Sequence, residues 1–387
     1  MLRFLRHIII YINVLLALLL LASVLSPLIS PGFLRIAPFL GLMFPFLLII
    51  NVFFIVYWAV SRRLALFISL AVILAGSAQI KRFVKVPFTK VMRKETRGNE
   101  KTFPGDSLRI LTYNVRAFNL YDWAHNKDAA RGILHFVDSL RADVLCFQEF
   151  YSRAESKLTL KEIPQGASLA PHAYFYYYFT DHQGGRYGIA TYSRYPILRK
   201  GAIRFENTYN VCIYTDVLFG KDTIRVYNAH LQSVRFRKAN YDFLDTLRLT
   251  YSDRHLQEVK DIYSRLREAY LKRSEQVTQI ARHIASCVYP VIVCGDLNDT
   301  PVSYTYRIIR GRLNDTFTEA GSGLSYTYNL PYWPFFRIDY ILSDPVFSVA
   351  EMNTLRIPYS DHFPVLATLV LPEQTADSAN QRFRPKE

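Results

Sequence analysis

Three apolar segments without a charged residue occupy most of the first 80 positions of this 387-residue chain. They cover residues 8–25, 36–60 and 64–78 and consist mainly of Leu, Ile, Val, Phe and Ala. The first two are long enough to cross a hydrocarbon core of about 30 Å, and the third needs residues 79 and 80 to do so. The sequence therefore predicts a membrane anchor over residues 1–80. The expected transmembrane helices lie at about 8–27, 36–60 and 64–80.

A cleaved signal peptide followed by buried core helices is the alternative interpretation of this region. One signal peptide would not explain two further apolar segments. Pro38 and Pro45 would break a soluble helix, whereas neighbouring transmembrane helices tolerate such kinks. The pattern favours the membrane.

Most of the formal net charge of +15 belongs to the anchor region and its flank. Residues 1–100 carry 12 Lys or Arg against 2 Asp or Glu, and the rest of the chain carries 35 against 30. The small excess in the rest does not demand a basic nucleic-acid groove. A basic cluster that would attract anionic headgroups follows the third apolar segment. Its members are Lys81, Arg82, Lys85, Lys90, Arg93, Lys94 and Arg97.

The positive charges give opposing signals about orientation. Arg3, Arg6, Arg62 and Arg63 are cytoplasmic if the N-terminus is inside, which sends the rest of the chain outward after three spans. The basic cluster after the third span argues the opposite. Because the first helix usually dominates, we expect an integral membrane protein of the cell (inner) membrane with its large domain facing outward.

Beyond the anchor, the pattern predicts a linker, one large domain and a polar tail. Residues 81–106 read as a basic juxtamembrane linker, residues 107–371 as the domain, and residues 372–387 as the tail. In the domain, short apolar strands alternate with candidate helices at 127–140 and 255–286. This alternation is typical of an α/β protein with layered sheets. The expected strands are 108–113, 143–147, 188–192, 211–218, 223–228, 291–294, 338–342 and 365–371.

The aromatic segment 174–179 has two interpretations. It is either a strand covered on both faces, or a surface that stacks on bases or inserts at a lipid interface.

Polar side chains capable of metal and phosphate chemistry fall at or near strand ends. Such residues can converge on one rim of a sheet, whereas charges scattered in loops need not meet. Each alone has an ordinary structural explanation, such as a turn former or a satisfied core histidine. Together they point to a metal-dependent site that cleaves phosphoesters. They are Asn114, Glu149, His230, Asp296, Asn298, Asp339, Asp361 and His362.

The sharpest motif is Gly295-Asp296-Leu297-Asn298. Glycine permits a close backbone approach, and an acid and an amide two residues apart can orient one water or one phosphate.

With these motifs in their order, residues 108–371 resemble the endonuclease/exonuclease/phosphatase superfamily, which includes deoxyribonuclease I and neutral sphingomyelinases. The membrane segments lie outside the resemblance. The matching pieces are Thr112-Tyr113-Asn114-Val115, Gln148-Glu149, Gly188-Ile189-Ala190-Thr191-Tyr192-Ser193, Asn228-Ala229-His230-Leu231, Gly295-Asp296-Leu297-Asn298, Arg337-Ile338-Asp339-Tyr340 and Ser360-Asp361-His362.

The resemblance implies a four-layered α/β sandwich, two packed mixed sheets flanked by helices, with the active site at one edge. It also implies that Glu149, helped by Asn114 and Asp361, binds Mg²⁺, with Mn²⁺ as a substitute.

The resemblance further implies the catalytic residues. Asp296 and Asn298 would hold the attacking water and a phosphate oxygen. Asp339 would fix the tautomer of His362, which would be a proton acceptor or a phosphate clamp, while His230 approaches from the other side. The family leaves open which group is the base.

The substrate is the least constrained part of the interpretation. A phosphodiesterase acting on a lipid or small phosphorylated molecule needs only a local cationic pocket, and tethering favours membrane substrates. An endonuclease or exonuclease cleaving DNA or RNA is the rival, and a phosphate-binding scaffold without activity is a third reading. We expect the lipid bilayer and the phosphorylated substrate as partners, with no obligate protein partner. The stretch between His230 and the helix that carries Arg273 is either a surface elaboration or a substrate-selecting lid. Its charged and aromatic residues include Arg235, Arg237, Lys238, Tyr241, Phe243, Leu244 and Arg254.

Overall fold

A computed structural model describes residues 2–85, 106–120, 128–153, 171–237, 240, 243, 253–329 and 336–372. Most of the predicted linker, the tail beyond residue 372 and part of the predicted lid lie outside the described residues. The helices are α1 Leu2–Leu25, α2 Ala37–Leu42, α3 Phe44–Val60, α4 Leu66–Ala75, α5 Ser77–Ile80, α6 Ala129–Ser139, α7 Asp253–Ala285, α8 Tyr304–Arg310 and α9 Thr316–Ala320.

The strands form two six-stranded sheets and one two-stranded ribbon. They are β1 Val84–Lys85, β2 Asp106–Asn114, β3 Val144–Ser152, β4 His172–Thr180, β5 Arg186–Ser193, β6 Ile197–Arg204, β7 Val211–Phe219, β8 Asp222–His230, β9 Val291–Asp296, β10 Asn314–Asp315, β11 Gly323–Leu324, β12 Asp339–Ser343, β13 Ser348–Thr354 and β14 Val365–Leu371.

The anchor region differs from its prediction in the length of its helices. Among the described residues one helix, Phe4–Leu28, is long and apolar enough to cross a membrane, where the sequence predicts three such helices. The other two apolar segments form the shorter helices Phe44–Val60 and Leu66–Ala75. Pro45 lies in the first turn of α3, so the second segment divides into α2 and α3. Gly76 separates α4 from α5 in the third segment.

The three longer anchor helices pack as an up-down-up bundle. Trp58 near the end of α3 contacts Asn13 in the middle of α1, whereas Phe44 at the start of α3 packs near the end of α1. Ser69 of α4 contacts Asn13 of α1, and further along both helices Gln79 of α5 donates to the carbonyl of Val24 at 3.1 Å, so α4 and α5 run parallel to α1. Arg62 therefore lies at the same end of the bundle as the N-terminus.

The bundle buries polar side chains and exposes apolar ones. Asn13, Asn51 and Ser69 are fully buried at its centre, and Trp58 is 1% exposed. Their side chains form one hydrogen-bonded chain, from Trp58 Nε1 to Asn13 Oδ1 (2.9 Å), Asn13 Nδ2 to Ser69 Oγ (2.6 Å) and Ser69 Oγ to Asn51 Oδ1 (2.8 Å). These hydrogen bonds join the three helices. Large apolar side chains on the outside include Tyr11, Leu15, Leu18, Phe53, Val56, Val60 and Phe67.

The domain is a sandwich of two mixed sheets with helices outside, which confirms the predicted four-layered α/β fold. The strand orders are β13-β14-β2-β3-β5-β4 in the N-terminal sheet and β10-β12-β9-β8-β7-β6 in the C-terminal sheet. Apolar side chains of both sheets, such as Ile110 and Ile292, fill the space between them. Helix α6 covers the outer face of the N-terminal sheet, and α7 and α8 cover that of the C-terminal sheet.

Two long edge strands, β6 and β13, are not predicted from the sequence, and neither are the two-residue strands β1, β10 and β11. Most side chains of β6 and β13 are exposed or half-buried, so the apolar alternation that marks a strand is weak in both. The aromatic segment forms edge strand β4, and its interpretation as a strand covered on both faces fits the structure. Phe175 and Tyr177 pack on one side, and Tyr174, Tyr176 and Tyr178 pack on the other.

Candidate active site

The site lies where the carboxyl ends of four central strands meet. Strands β2 and β3 run parallel in the N-terminal sheet, and β8 and β9 run parallel in the C-terminal sheet. The two parallel pairs stack on each other, so their ends face one another across the sandwich. These strands place Asn114, Glu149, His230 and Asp296 at one edge. The first residue of β12 is Asp339, and the loop before β14 brings in His362.

Gly295 allows β8 and β9 to approach at this edge. Its φ is 139°, and a Cβ atom there would lie 1.9 Å from the carbonyl oxygen of Ala229. Any other residue would push β9 away from β8 and displace Asp296. The close approach expected from the Gly295-Asp296 motif is therefore present.

Glu149 points into the site because β3 bulges. The register of β3 against β5 shifts between Phe147 and Phe150, and Glu149 has a φ of 49°. A bulge with a left-handed residue re-aims a side chain at some conformational cost, and such features concentrate at functional sites. The side chain of Glu149 accepts from Asn114 Nδ2 at 3.3 Å. Burial and the nearby carboxylate of Asp361 raise the pKa of Glu149.

Asp296 is buried and surrounded by amide donors. Its Oδ2 accepts from the Nδ2 atoms of Asn114 and Asn298, both at 3.1 Å, and its Oδ1 accepts from the backbone N–H of Asn298 at 2.8 Å. Asn298 also has a positive φ of 53°, which turns the chain back towards Asp296. Burial raises the pKa of Asp296 to about 6. The pair predicted from the motif is thus one hydrogen-bonded unit.

Asp339 and His362 form a buried dyad. The ring Nδ1 of His362 lies 3.0 Å from Asp339 Oδ2, and Nε2 on the other side of the ring lies 3.8 Å from Asp296 Oδ2. Burial lowers the pKa of His362, but the carboxylates of Asp339 and Asp296 outweigh it and raise the pKa well above the ordinary value. A cationic imidazole is suited to stabilise a phosphate or donate a proton.

His230 carries a buried atom without a hydrogen-bond partner. Its Nε2 lies 3.6 Å from Glu149 Oε1 and 3.8 Å from Asp296 Oδ2, and neither distance is a hydrogen bond. Burial lowers the pKa of His230, so the two histidines of the site are shifted in opposite directions. An unpartnered polar atom facing two acids is the place where a substrate or a water would bind.

Two family models match the sequence of this chain. The model of the Endonuclease/Exonuclease/phosphatase family matches residues 111–362, which is well over half of the chain. The chain belongs to this family. It is a hydrolase that acts on phosphoester bonds. A second model, described as a Domain of unknown function (DUF8431), matches residues 6–83, and a search of curated proteins found no match.

Three of the solved structures that are similar to this chain are the following. An endonuclease/exonuclease/phosphatase from Bacteroides vulgatus is 18% identical, with 69% of this chain and 99% of that chain covered and a TM-score of 0.49. Truncated Caenorhabditis elegans TDP2 is 18% identical, with 70% and 100% covered and a TM-score of 0.46. The mannosyl-6-phosphatase Bt3783 of Bacteroides thetaiotaomicron is 19% identical, with 68% and 99% covered and a TM-score of 0.47.

Enzymes of the endonuclease/exonuclease/phosphatase family generally require a divalent metal, and the acidic side of this site fits one. Glu149 and Asp361 are close enough to affect each other electrostatically, and both offer carboxylate oxygens, the ligands that hard cations prefer. For Asn114, a part in binding the metal stays a prediction. Its Oδ1 accepts from the backbone N–H of Arg116 at 3.1 Å, so its amide orients Glu149 and Asp296.

A second set of possible ligands is less suited to a cation. One ligand atom from each of Asp296, Asp339 and His362 lies within 4.8 Å of the others. The carboxylates of Asp339 and Asp296 raise the pKa of His362, so a cation would have to displace a proton to bind its ring. This trio is therefore better suited to proton and phosphate chemistry.

The structure adds residues to the site that the sequence analysis does not single out. Arg116 Nη1 pairs with Asp361 Oδ2 at 3.2 Å, and it begins a run of four residues with positive φ that ends at Asn119. Gln148 Nε2 donates to Asn228 Oδ1 at 2.7 Å, which joins the two sheets directly below the site. Gln148 lies in a matching motif and Arg116 directly follows one, but their partners are far apart in sequence and could not be identified from it.

The described part of the predicted lid is fastened to α7. Asn240 Nδ2 donates to Glu258 Oε2 at 3.0 Å and to Asp261 Oδ2 at 3.1 Å, and Arg265 Nη1 donates to the carbonyl of Arg235 at 3.0 Å. Lys238, Tyr241 and Leu244, which the prediction also includes, lie outside the described residues.

Proposed function

We propose that this hydrolase is a membrane-anchored, Mg²⁺-dependent phosphodiesterase acting on a lipid or a small phosphorylated substrate. The observation that carries the proposal is that a phosphoesterase-type site and an apolar helical bundle occur in one chain. A site with buried acids and two oppositely shifted histidines belongs to the same chain as a helical bundle whose outer face is apolar. Tethering raises the local concentration of substrates in or near a bilayer.

The bundle supports membrane insertion through α1, with α3 and α4 sharing its hydrocarbon environment. Exposed side chains such as Leu18 (57%), Phe53 (68%) and Val60 (80%) would be unfavourable in water, but they suit lipid. Arg62 and Arg63 lie at the end of the bundle away from the sandwich. By the positive-inside preference, that end is cytoplasmic and the catalytic domain faces outward from the inner membrane.

The basic cluster opposes this orientation less than its sequence suggests. Arg82 Nη1 donates to the carbonyl of Pro301 at 3.1 Å, and Lys85 Nζ donates to the carbonyl of Thr318. These two cations are engaged by the catalytic domain and are not free to bind headgroups. Lys90, Arg93, Lys94 and Arg97 lie outside the described residues.

The chain's own residues supply the proton and phosphate chemistry. Asp296, oriented by Asn114 and Asn298, would accept a proton from the attacking water, and a pKa of about 6 suits a base at neutral pH. Protonated His362, held by Asp339, would stabilise the charge on the phosphate.

On the opposite side, His230 Nε2 would bind a phosphate oxygen or the leaving group. Glu149 and Asp361 would hold Mg²⁺, with Asn114 fixing the position of Glu149. Bound Mg²⁺ supplies Lewis-acid polarisation of the scissile phosphate.

A substrate panel on the full chain in detergent micelles tests the proposal. The substrates are bis-p-nitrophenyl phosphate, sphingomyelin, phospholipids, inositol phosphates and plasmid DNA, each with Mg²⁺ and with chelator. We expect Mg²⁺-dependent turnover of the diester and of at least one lipid or inositol substrate. DNA nicking without lipid turnover would favour the nuclease. Absence of cleavage across the panel would favour a phosphate-binding scaffold.

A further inference from the structure

Two segments of the catalytic domain connect the active site to the anchor. Residues 298–302 run from Asn298 to a contact with the bundle. Residues 323–329 run from the ribbon strand β11 to the neighbours of His362. In each segment only a few residues separate the anchor contact from a site residue.

The first segment inserts into the end of the bundle. Val302 is 1% exposed. It belongs to the catalytic domain but packs in an apolar cluster whose other members are anchor residues. A Cβ atom on Gly41 of α2 would lie 2.2 Å from the carbonyl oxygen of Val302, so the two backbones touch and only glycine fits. The guanidinium of Arg82 lies 5.1 Å from the ring centre of Tyr306, beside its bond to Pro301. The buried anchor members of the cluster are Leu20, Val24, Phe44 and Leu47.

The same segment is clamped at its other end by the catalytic domain. Arg273 of α7 donates from Nη1 to the carbonyl of Asn298 at 2.6 Å, and its Nε lies 3.3 Å from Asp299 Oδ2. The hydroxyl of Tyr340 donates to the carbonyl of Asp299 at 2.8 Å. Only two residues separate Asn298 from Pro301. A displacement of the backbone at the anchor contact should therefore also displace Asn298.

The second segment is completed by a strand from the anchor side. β1 pairs antiparallel with β11, and the N–H of Ser325 donates to the carbonyl of Phe83 at 2.8 Å. Two residues later, Thr327 Oγ1 accepts from the backbone N–H groups of Ile338 and Asp339, both at 3.0 Å.

The residue after Thr327 reaches the histidine of the dyad. Tyr328 forms a bridge with His362, and their rings are 5.0 Å apart. The N–H of Asn329 donates to the carbonyl of Asp361 at 2.7 Å. The segment that the anchor side completes therefore holds the Asp339–His362 dyad in place.

We propose that the anchor is a structural part of the active site and fixes the positions of Asn298 and the Asp339–His362 dyad. The docking surface on the catalytic domain is residues 299–303, α8 and β11, and its occupant is the chain's own segment of α2 and residues 80–85. Tethering thus sets the catalytic rate as well as the location. The inference rests on contacts that hold whichever phosphoester is cleaved.

A matched pair of glycine variants in the full chain tests this coupling. Gly41→Ala forces α2 away from Val302, whereas in Gly32→Ala the nearest atom to the new Cβ is Ser30 Oγ at 3.7 Å. The assay is hydrolysis of bis-p-nitrophenyl phosphate in detergent micelles with Mg²⁺, because this substrate needs no membrane. We expect kcat to fall about tenfold in Gly41→Ala with little change in KM, and to stay near wild type in Gly32→Ala.

Hydrogen exchange on the same samples reports the positions directly. The amide of Asn298 donates to Asp296, and the amide of Asp339 donates to Thr327. Both amides should exchange faster in Gly41→Ala while β2 and β9 stay protected. Faster exchange of these amides with wild-type kcat would show that catalysis does not depend on the contact between α2 and Val302. Unchanged exchange would show that this contact does not hold Asn298 and Asp339 in place. Either result overturns the inference.

The experiment also allows for a Gly41→Ala variant that does not fold and for a wild-type protein that shows no turnover. If Gly41→Ala loses protection throughout the sandwich, Arg82→Ala replaces it, with Arg63→Ala at the far end of the bundle as control; equal kcat in these two variants would overturn the inference. If the wild-type protein shows no turnover, the proposed function fails. The exchange of the Asn298 and Asp339 amides then decides the coupling alone.

Discussion

The anchor and the sandwich bury polar side chains for different purposes. In the anchor, the chain of Trp58, Asn13, Ser69 and Asn51 satisfies its own donors and acceptors. In the sandwich, the buried polar group at the strand ends leaves His230 Nε2 without a partner and raises the pKa of Asp296. A satisfied network joins helices, whereas an unsatisfied one is kept for a ligand. The comparison predicts that polar substitutions in the sandwich site affect chemistry and those in the anchor affect assembly.

The largest effect should follow removal of the dyad histidine. His362→Ala removes the cationic group held by Asp339, and we expect kcat for bis-p-nitrophenyl phosphate to fall about 10²- to 10⁴-fold. Glu149→Gln should cause a comparable loss through the metal. The control is His182→Ala, because His182 is exposed in a loop. Retained Mg²⁺-dependent turnover in both site variants would contradict the assignment.

The next effect concerns the polar group that joins the sheets below the site. Asn228 Nδ2 donates to the carbonyl of Ala190 at 2.9 Å, and its Oδ1 accepts from Gln148 at 2.7 Å. Asn228→Ala leaves buried partners unsatisfied, so the free energy of unfolding should fall by about 1–3 kcal/mol. Denaturant unfolding measures it, with half-exposed Asn353→Ala as control. Equal loss in both variants would mean that the inter-sheet network adds no special stability.

The sequence predicts the sandwich and its site because their signals are local. Strand ends, the Gly295-Asp296 motif and the order of motifs can all be read from neighbouring residues. The bulge that aims Glu149 cannot, because it depends on register against β5. Arg82 and Lys85 look like lipid-binding charges in sequence, and only the tertiary fold shows them bound to carbonyl groups of the catalytic domain. Edge strands escape prediction because one side of each faces solvent.

The length of the anchor helices could be predicted only in part. Composition identifies all three apolar segments, but a segment free of charges need not be one helix. Pro45 starts a new helix within the second segment, and Gly76 interrupts the third. The polar residues Asn13, Asn51 and Ser69 lie on three different segments, so their meeting depends on the packing of the bundle.

A smaller effect should appear in the pH dependence of Mg²⁺ stabilisation. Burial raises the pKa of Asp296 to about 6 and also raises the pKa of Glu149. As pH rises, the unfolded chain therefore loses the protons of these two acids at a lower pH than the folded chain does. The metal-free protein should therefore lose stability as pH rises from about 4 to about 7, by on the order of 1 kcal/mol. Mg²⁺ competes with the protons, so the difference in Tm between Mg²⁺ and chelator should widen over this range. A difference that stays constant with pH, or one that Glu149→Gln leaves unchanged, would argue against this metal site.

The smallest effect should come from the polar network of the anchor. Ser69→Ala removes the hydroxyl that joins Asn13 to Asn51, and hydrogen bonds between helices in membranes contribute on average about 0.6 kcal/mol. SDS titration of the protein in mixed micelles measures the loss, and Ser77→Ala is the control because Ser77 is exposed on α5. Turnover of bis-p-nitrophenyl phosphate should stay within about twofold of wild type, since Ser69 lies in the bundle interior, away from the dock at Gly41 and Val302. A large loss of kcat in Ser69→Ala would show that the interior of the bundle also serves the chemistry, and the distinction between a joining network and a ligand-binding one would fail.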